Sequence, residues 1–381
     1  MINNKLTILE VCPFSSGSCG VFNRVWNEAK VFKEMGYDVI IFSSNATKGS
    51  KEIAPSEETR DGILIKRYNY KKLGGESFMK WDKQWIEDAM RLQPNFILGH
   101  NYRHIHTTET LKIRDALIMD KINCSAILIT HAPFIKNDST RSFFSKMAVK
   151  FYDKFIGPKT LNKFDAIVRI SDWEEPYLLE LGADKNKIWK IPNVVPNEFF
   201  TTPSSPTIGH SVLFLGRVAP IKNIEFILDL AKLIPEFNFS IVGNVDEEYF
   251  KLLNITHYPF PKNITFYPPV YDLVAKIKVI DSHKYFILSS HREALPNSII
   301  EALSRGKICI STNTDGGKEL IDSNITGYIC ENNTLEEAKN FIMLNEKSSL
   351  DKNKIIDSVR NYYSIDMLKQ KYTIMFQELL K

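Results

Sequence analysis

The chain of 381 residues has only five cysteines, at 12, 19, 124, 309 and 330, and no C-x-x-C pair among them. An odd, scattered set in a chain this long argues against a disulfide framework and reads as reduced thiols. No apolar run approaches the roughly 18 residues of a membrane-spanning helix. The opening residues, MINNKLTILEVC, lack a long apolar core and a small-residue cleavage site, so no signal peptide is expected. Neither sign of charge is in large excess. The 49 Lys and Arg against 45 Asp and Glu leave a formal +4, which suits small anions or a membrane face but does not argue for nucleic acid. The glycine pattern G-x-G-x-x-G is absent, which argues against a standard dinucleotide fingerprint. The expectation is a cytoplasmic protein, at most peripheral on the cytoplasmic face of a membrane.

What is present is alternation. The runs 6–12, 38–44, 95–101, 125–131 and 165–171 read as buried parallel strands, with amphipathic stretches such as 21–35 and 173–182 as crossover helices. A stretch with four prolines in twenty residues, 191–210, suits a linker. The alternation then restarts at 211–217, 237–243, 263–268, 285–290 and 307–312. The class is α/β, with two Rossmann-like doubly wound parallel-sheet domains facing a central cleft. The expected boundaries are 1–195, 196–363 and a C-terminal helix, 364–381, opened by Ser364 and packing back towards the first domain.

Chemistry concentrates where strands end. In HREALPNSIIEALSRG, Glu293 and Glu301 stand eight positions apart with Pro296 between them. Proline belongs to the first turn of a helix. So Glu293 falls in the loop after strand 285–290, while Asn297 and Ser298 open helix 296–305. Free N–H groups there suit a phosphate. Glu293 and Glu301 would then accept from two sets of hydroxyls, as a nucleotide sugar presents; a solvated pair of glutamates is the simpler alternative. GRVAPIKN sets Gly216 and Arg217 after a strand and Lys222 before a helix, a fork and a point charge for a diphosphate, or a surface cap. Gly316 and Gly317, followed by Glu319, mark another strand-to-helix turn, and Gly327 precedes a short strand. Gly17 and Gly20 form a permissive loop after the first strand, open to a substrate or phosphate. His131, ending a strand in ITHAPF, reads either as a site residue or as a satisfied structural histidine.

Taken in order and spacing, GRVAPIKN, EALPNSIIEAL and DGGKE…GYI resemble the retaining GT-B glycosyltransferases of family 4, as do the first glycine loop, THAPF and IPNVVPNEFF. The resemblance covers most of the chain and is densest from 211 to 330. It implies that Glu293 contacts the donor sugar, Glu301 the ribose, Arg217 and Lys222 the diphosphate, and that His131 sits near the reacting sugar. Glu293, His131, Arg217 and Lys222 form the catalytic set. Gly17, Gly20, Gly216, Ala294, Leu295, Pro296, Asn297 and Ser298 join Arg217, Lys222 and Glu301 in the donor-binding set. Three positions depart from the family pattern: Ala294 and Val194 stand where glycine is usual, and Ser18-Cys19 separate two glycines that are usually adjacent. The implied reaction is retaining transfer from a UDP- or GDP-type sugar to a glycan, lipid-linked or small-molecule acceptor, with domain closure hinged at 195–208.

No cofactor beyond the nucleotide-sugar co-substrate is expected, and no metal, because D-x-D occurs nowhere in the chain. His100, His104 and His106 have a spacing that binds zinc but lack a fourth ligand nearby. They read as a solvent-facing or acceptor-lining cluster. Segment 141–164 carries six basic residues and one acid, with Lys146, Lys150 and Lys154 beside Phe144, Met147, Phe151 and Phe155. It reads either as a core-packed helix with a solvated lysine face or as a peripheral membrane contact. KRYNYKK, 66–72, reads as a basic aromatic loop. The rival readings are a nucleotide-sugar epimerase on the same fold and a non-catalytic nucleotide-sugar or glycan-binding protein.

Overall fold

The computed structural model describes residues 5–17, 19–133, 143–323, 325–346 and 350–381. Ser18, residues 141 and 142, and the Phe144 side chain therefore lie outside the described parts. The chain divides into two compact units, residues 1–192 with 368–381, and residues 193–367.

The strands of the first unit are β1 (Thr7–Gly17), β2 (Asp38–Lys48), β3 (Glu57–Arg60), β4 (Ile63–Tyr68), β5 (Tyr70–Lys72), β6 (Met79–Trp81), β7 (Phe96–His100), β8 (Ser125–Ile129), β9 (Ala166–Arg169) and β10 (Ile188–Lys190). Eight of them form one sheet in the order β10-β9-β8-β7-β1-β2-β4-β3. Every pairing is parallel except β3 with β4. The central strands read as unbroken apolar runs because both faces are covered: Ile8, Leu9, Ile97, Leu98, Ile127 and Leu128 are fully buried. The helix Gly20–Glu34 buries Val25, Ala29 and Phe32, and from Leu368 on the helix Ile365–Leu379 packs into the same core. There Phe376 stacks on Phe96 with ring centroids 4.3 Å apart, and Tyr372 meets Phe32 edge-on at 4.7 Å.

Residues 66–72 are not a loop. They belong to β4 and to the hairpin β5–β6, with Arg67 buried on Ser15 Oγ (2.7 Å) and the Pro55 carbonyl (3.0 Å), and Lys66 paired with Asp88 at 2.6 Å. These partners lie far away in sequence, which is why a basic stretch can sit inside a sheet.

The second unit carries β11 (Ser211–Leu215), β12 (Asn238–Val242), β13 (Ile264–Tyr267), β14 (Tyr285–Leu288), β15 (Ile308–Thr312) and β16 (Gly327–Cys330). They form an all-parallel sheet in the order β13-β12-β11-β14-β15-β16. The strand order reverses beside β11, at β14, the usual position of a ligand crevice in such sheets.

The proline-rich stretch is tied down rather than free. Arg305, buried, donates to the carbonyls of Phe199 (2.8 Å) and Thr202 (2.9 Å) and holds Asp281 through two hydrogen bonds of 2.9 and 2.8 Å. Asp281 in turn accepts from the Ser205 amide at 2.9 Å. Its carboxyl is 0% exposed, so removing the guanidinium would strand a buried charge. Arg305→Ala is expected to cost about 3–5 kcal/mol, read as a lower urea midpoint for the second unit. An unchanged midpoint would show that segment 199–207 is held by something else.

Candidate active site

In the second unit the residues after β11, β14 and β15 converge. The backbone fixes them first: His291 N donates to the Ile221 carbonyl (2.9 Å), Ser289 Oγ to the Lys222 carbonyl (2.7 Å), and Gly316 N to the Glu293 carbonyl (3.2 Å). Thr312 Oγ1 donates to the Ser290 carbonyl at 2.6 Å. Lys222 therefore arrives beside Glu293, and its Nζ lies 2.5 Å from Glu293 Oε1. Ser290 Oγ donates to the same oxygen at 2.6 Å. Glu293 Oε2 has no partner among the described residues and stays open to a ligand hydroxyl.

Lys222 closes a short 3-10 turn, Pro220–Lys222, ahead of the helix Ile224–Leu233. Arg217 is exposed, with no ion-pair partner among the described residues. The glycine before it meets a tight constraint: a Cβ on Gly243, whose φ is +156°, would lie 1.8 Å from the Gly216 carbonyl oxygen. Strand ends this close need glycine at 243. Glu301 pairs with Lys276 at 3.0 Å, one oxygen engaged.

The helix after Glu293 runs Asn297–Ser304, with Pro296 in extended conformation as its N-cap rather than within its first turn. No side chain caps it. The amides of Ile299 and Ile300 turn back to the Pro296 carbonyl at 3.1 and 3.4 Å, which leaves those of Asn297 and Ser298 as the open donors of the turn. Asn193 Nδ2 holds the Leu295 carbonyl at 2.9 Å. Gly316 and Gly317 lie inside the short helix Asp315–Leu320, and a Cβ on Gly316 would come within 2.5 Å of the Ala294 carbonyl oxygen. Ser290 and Lys276 carry no signal in the sequence, one being a hydroxyl with no pattern of its own and the other reaching Glu301 from a different helix, whereas Asn193 lies in the IPNVVPNEFF segment singled out there.

His131 belongs to the first unit, two residues beyond β8, with φ of +54°. It lines a cavity of about 620 Å³, bounded also by Val21, Leu73, Phe78, Asn101, Tyr102, His104 and Tyr152. Its Nε2 lies 2.8 Å from His100 Nδ1, and His100 Nε2 lies 2.6 Å from Glu10 Oε2. His100, His104 and His106 are buried, at 0%, 8% and 1% exposure, so the cluster does not face solvent. Only His104 of the three lines the cavity. His106 Nε2 meets the His100 carbonyl at 3.2 Å, and its ring stacks on Trp81. Among the described residues, the groups that bring metal-ligand atoms together are instead Glu10, Glu28 and His100, within 4.8 Å of one another. Arg24 at 2.7 Å and the Tyr372 hydroxyl already occupy Glu28 Oε1, and Glu10 and His100 bond each other, so one oxygen of each acid is engaged within the protein while Glu10 Oε1 and Glu28 Oε2 are buried without a partner. Gly17 pairs with Lys48 at the end of β1, where a Cβ would meet the Lys48 carbonyl oxygen at 2.2 Å; Gly20 opens its helix onto free space.

Two parallel-sheet units, one carrying an acid–lysine pair under a helix N-terminus with a free arginine alongside, define a GT-B-type glycosyltransferase. The chain matches the glycosyl transferases group 1 family over residues 203–361 and glycosyltransferase family 4 over residues 19–199. It belongs to family 4 of the GT-B glycosyltransferases. A glycosyltransferase of Haemophilus influenzae is 25% identical over 333 residues, 84% of this chain and 85% of that protein. The UDP-Gal:alpha-D-GlcNAc-diphosphoundecaprenol alpha-1,3-galactosyltransferase of Escherichia coli is 26% identical over 62% of this chain and 66% of its own length. An Anabaena protein solved in complex with UDP and glucose has the same fold, with a TM-score of 0.70 at 14% identity over 98% of this chain and 100% of that one.

Burial makes the histidines poor bases. Desolvation lowers His100 and His104 to about 4, and pushes His106 and His131 well below the usual value. A lowered folded pKa means that each neutral ring contributes stability fully present above the unfolded value, ~6.5, and lost as pH falls towards the folded one. Ring signals of His100 and His104 are accordingly expected to stay neutral at pH 6 and to titrate near 4. Titration of either near the unfolded value would show the cluster open to water.

Proposed function

We propose that this chain is a retaining glycosyltransferase, transferring a sugar from a UDP- or GDP-type donor to a glycan, lipid-linked or small-molecule acceptor without a metal. The observation that carries the reading is the Lys222–Glu293 pair, 2.5 Å apart, beside the open N-terminus of the helix Asn297–Ser304. Arg217, Lys222 and the amides of Asn297 and Ser298 would take up the charge that grows on the leaving diphosphate, the main contribution such a site can make. Glu293 is neutralised by Lys222 and hydrogen-bonded by Ser290, which suits a carboxylate that holds a sugar hydroxyl rather than a free nucleophile. The acceptor therefore attacks on the face the diphosphate leaves, with a phosphate oxygen taking the acceptor proton. Glu301 is assigned the ribose, and His131 a hydrogen bond to the transferred sugar. The Escherichia coli relative and the UDP-bound Anabaena structure favour a uridine donor and a lipid-linked acceptor.

A membrane contact belongs to this reading. Lys146, Met147, Lys150, Phe151, Lys154, Phe155 and Ile156 are all exposed, which argues against a core-packed helix there. Apolar side chains flanked by lysines suit the surface of an anionic bilayer.

Two measurements test the proposal. With UDP-, GDP- and ADP-sugars and EDTA present, nucleotide release from one donor should persist. Lys222→Ala should lower kcat by roughly 10²–10³-fold, and the product should keep the donor's anomeric configuration. Activity abolished by EDTA, or an inverted product, would each remove a named part of the mechanism. Second, the triple variant Lys146→Glu, Lys150→Glu, Lys154→Glu should lose sedimentation with anionic vesicles, by about 1 kcal/mol per lysine at the surface. Equal binding by the variant would discard the membrane contact.

A further inference from the structure

Beneath His131 lies a row of ionisable groups for which the transfer mechanism has no use. Glu10, in the middle of β1, and His100, at the end of β7, are both 0% exposed. Glu10 Oε2 is 2.6 Å from His100 Nε2, and His100 Nδ1 is 2.8 Å from His131 Nε2. His131 Nδ1 has no partner among the described residues, and the ring lines the cavity of about 620 Å³.

A neutral imidazole donates from one nitrogen and accepts at the other. In a row of two rings, placing one proton therefore places them all. If Glu10 is a carboxylate, His100 donates Nε2–H to it, His131 donates Nε2–H to His100, and His131 Nδ1 is a bare acceptor. If Glu10 is a carboxylic acid, it donates to His100 Nε2, His100 donates Nδ1–H to His131 Nε2, and the His131 proton sits on Nδ1.

The surroundings choose between the two. Glu10 Oε1 is buried with no hydrogen-bond partner. A bare oxygen costs far less on a neutral acid than on a buried carboxylate. The cation nearby, Arg24, is committed to Glu28 at 2.7 Å. We propose that Glu10 and His100 are positioning residues that fix the His131 proton on Nδ1, so that His131 meets the transferred sugar as a hydrogen-bond donor. The proposal rests on the assignment of His131 to the sugar made above. Burial raises Glu10 well above the usual carboxyl value, against the pull of Arg24, and holds both rings neutral, in keeping with this arrangement. The other groups facing the row are Arg24 and Glu28 on the helix Gly20–Glu34, Tyr372 on the C-terminal helix, and His104 and His106 at the start of the helix Ile105–Met119.

Nitrogen-15 NMR of the imidazole rings in the full chain, without substrate at pH 7, reads the tautomer directly. The expected result is a protonated Nδ1 and a bare Nε2 on His131; the reverse overturns the proposal, whatever the variants do. Glu10→Gln, which still offers an N–H to His100, should preserve that tautomer. Glu10→Leu, which offers none, should give a mixture and lower kcat by up to about tenfold, the worth of one hydrogen bond, with KM little changed. A Glu10→Leu protein whose His131 tautomer is unchanged would also overturn it. The two readings fail separately: if the tautomer is as expected but His131→Ala turns over like the wild type, His131 does not touch the sugar. That result removes the donor role, while the wild-type spectrum still decides the proton's position.

Discussion

Parallel strand register is the constraint on which everything else here rests. In the second sheet Leu213 stands opposite Phe286 and Phe286 opposite Cys309, so β11, β14 and β15 finish on one edge. The loops after them carry Arg217, Glu293 and Gly316 to that edge with no further folding requirement. In the first sheet Glu10 is opposite Leu98, and His100 opposite Ile129. Side chains alternate with a period of two. His100 therefore shares a face with Glu10 one strand over and two residues on. The pleat lays out that pair, and the left-handed turn at His131, two residues past the end of β8, brings in the third member.

That dependence explains what could be read from the sequence. Strands buried on both faces appear as continuous apolar runs, and nine of the ten runs correspond to interior strands of the two sheets; the tenth, 263–268, is the half-exposed edge strand β13. The sheet edge was not legible. Residues 66–72 look like a charged loop because Lys66 and Arg67 find their partners on Asp88, Ser15 and Pro55, which no local pattern announces. The proline-rich stretch looked like a tether for a similar reason: its anchor, Arg305, lies about a hundred residues away. Strand-end and helix-start logic was enough to place Lys222, Glu293 and Arg217 in the loops at one edge of the second sheet. The histidines were legible as a cluster but not as a buried one. Glu10 did carry a signal, a lone acid inside the apolar run TILEVC, whose meaning needs the neighbouring strand.

The Arg24 cluster of the first unit and the Lys222–Glu293 pair of the second handle charge differently. In the first, Arg24, Glu28 and Tyr372 bond one another through Glu28 Oε1 with almost no solvent contact, at 4%, 1% and 0% exposure. Such a set contributes little net stability against apolar replacements, but losing one member is costly. It links the helix Gly20–Glu34 to the C-terminal helix and fixes the ground on which His100 sits. In the second, Lys222 and Glu293 keep 22% and 12% of their side-chain surface, so the pair is formed yet reachable. A pair already aligned before a ligand arrives needs little reorganisation when charge develops beside it.

The junction of the loops after β14 and β15 shows how narrow the tolerance is. The family pattern noted in the sequence puts glycine where this chain has Ala294, which would suit a close backbone approach there. Ala294 has no left-handed φ, and its carbonyl oxygen is the atom approached. The residue that must lack a side chain is the one approaching: a Cβ on Gly316 would stand 2.5 Å from that oxygen and 3.0 Å from the carbonyl oxygen of Glu293. The Gly316 amide also donates to the Glu293 carbonyl at 3.2 Å, so the contact that forbids a side chain is the one that fixes the backbone of Glu293. Alanine at 294 is therefore compatible with an intact site, because the glycine requirement of this junction falls on 316.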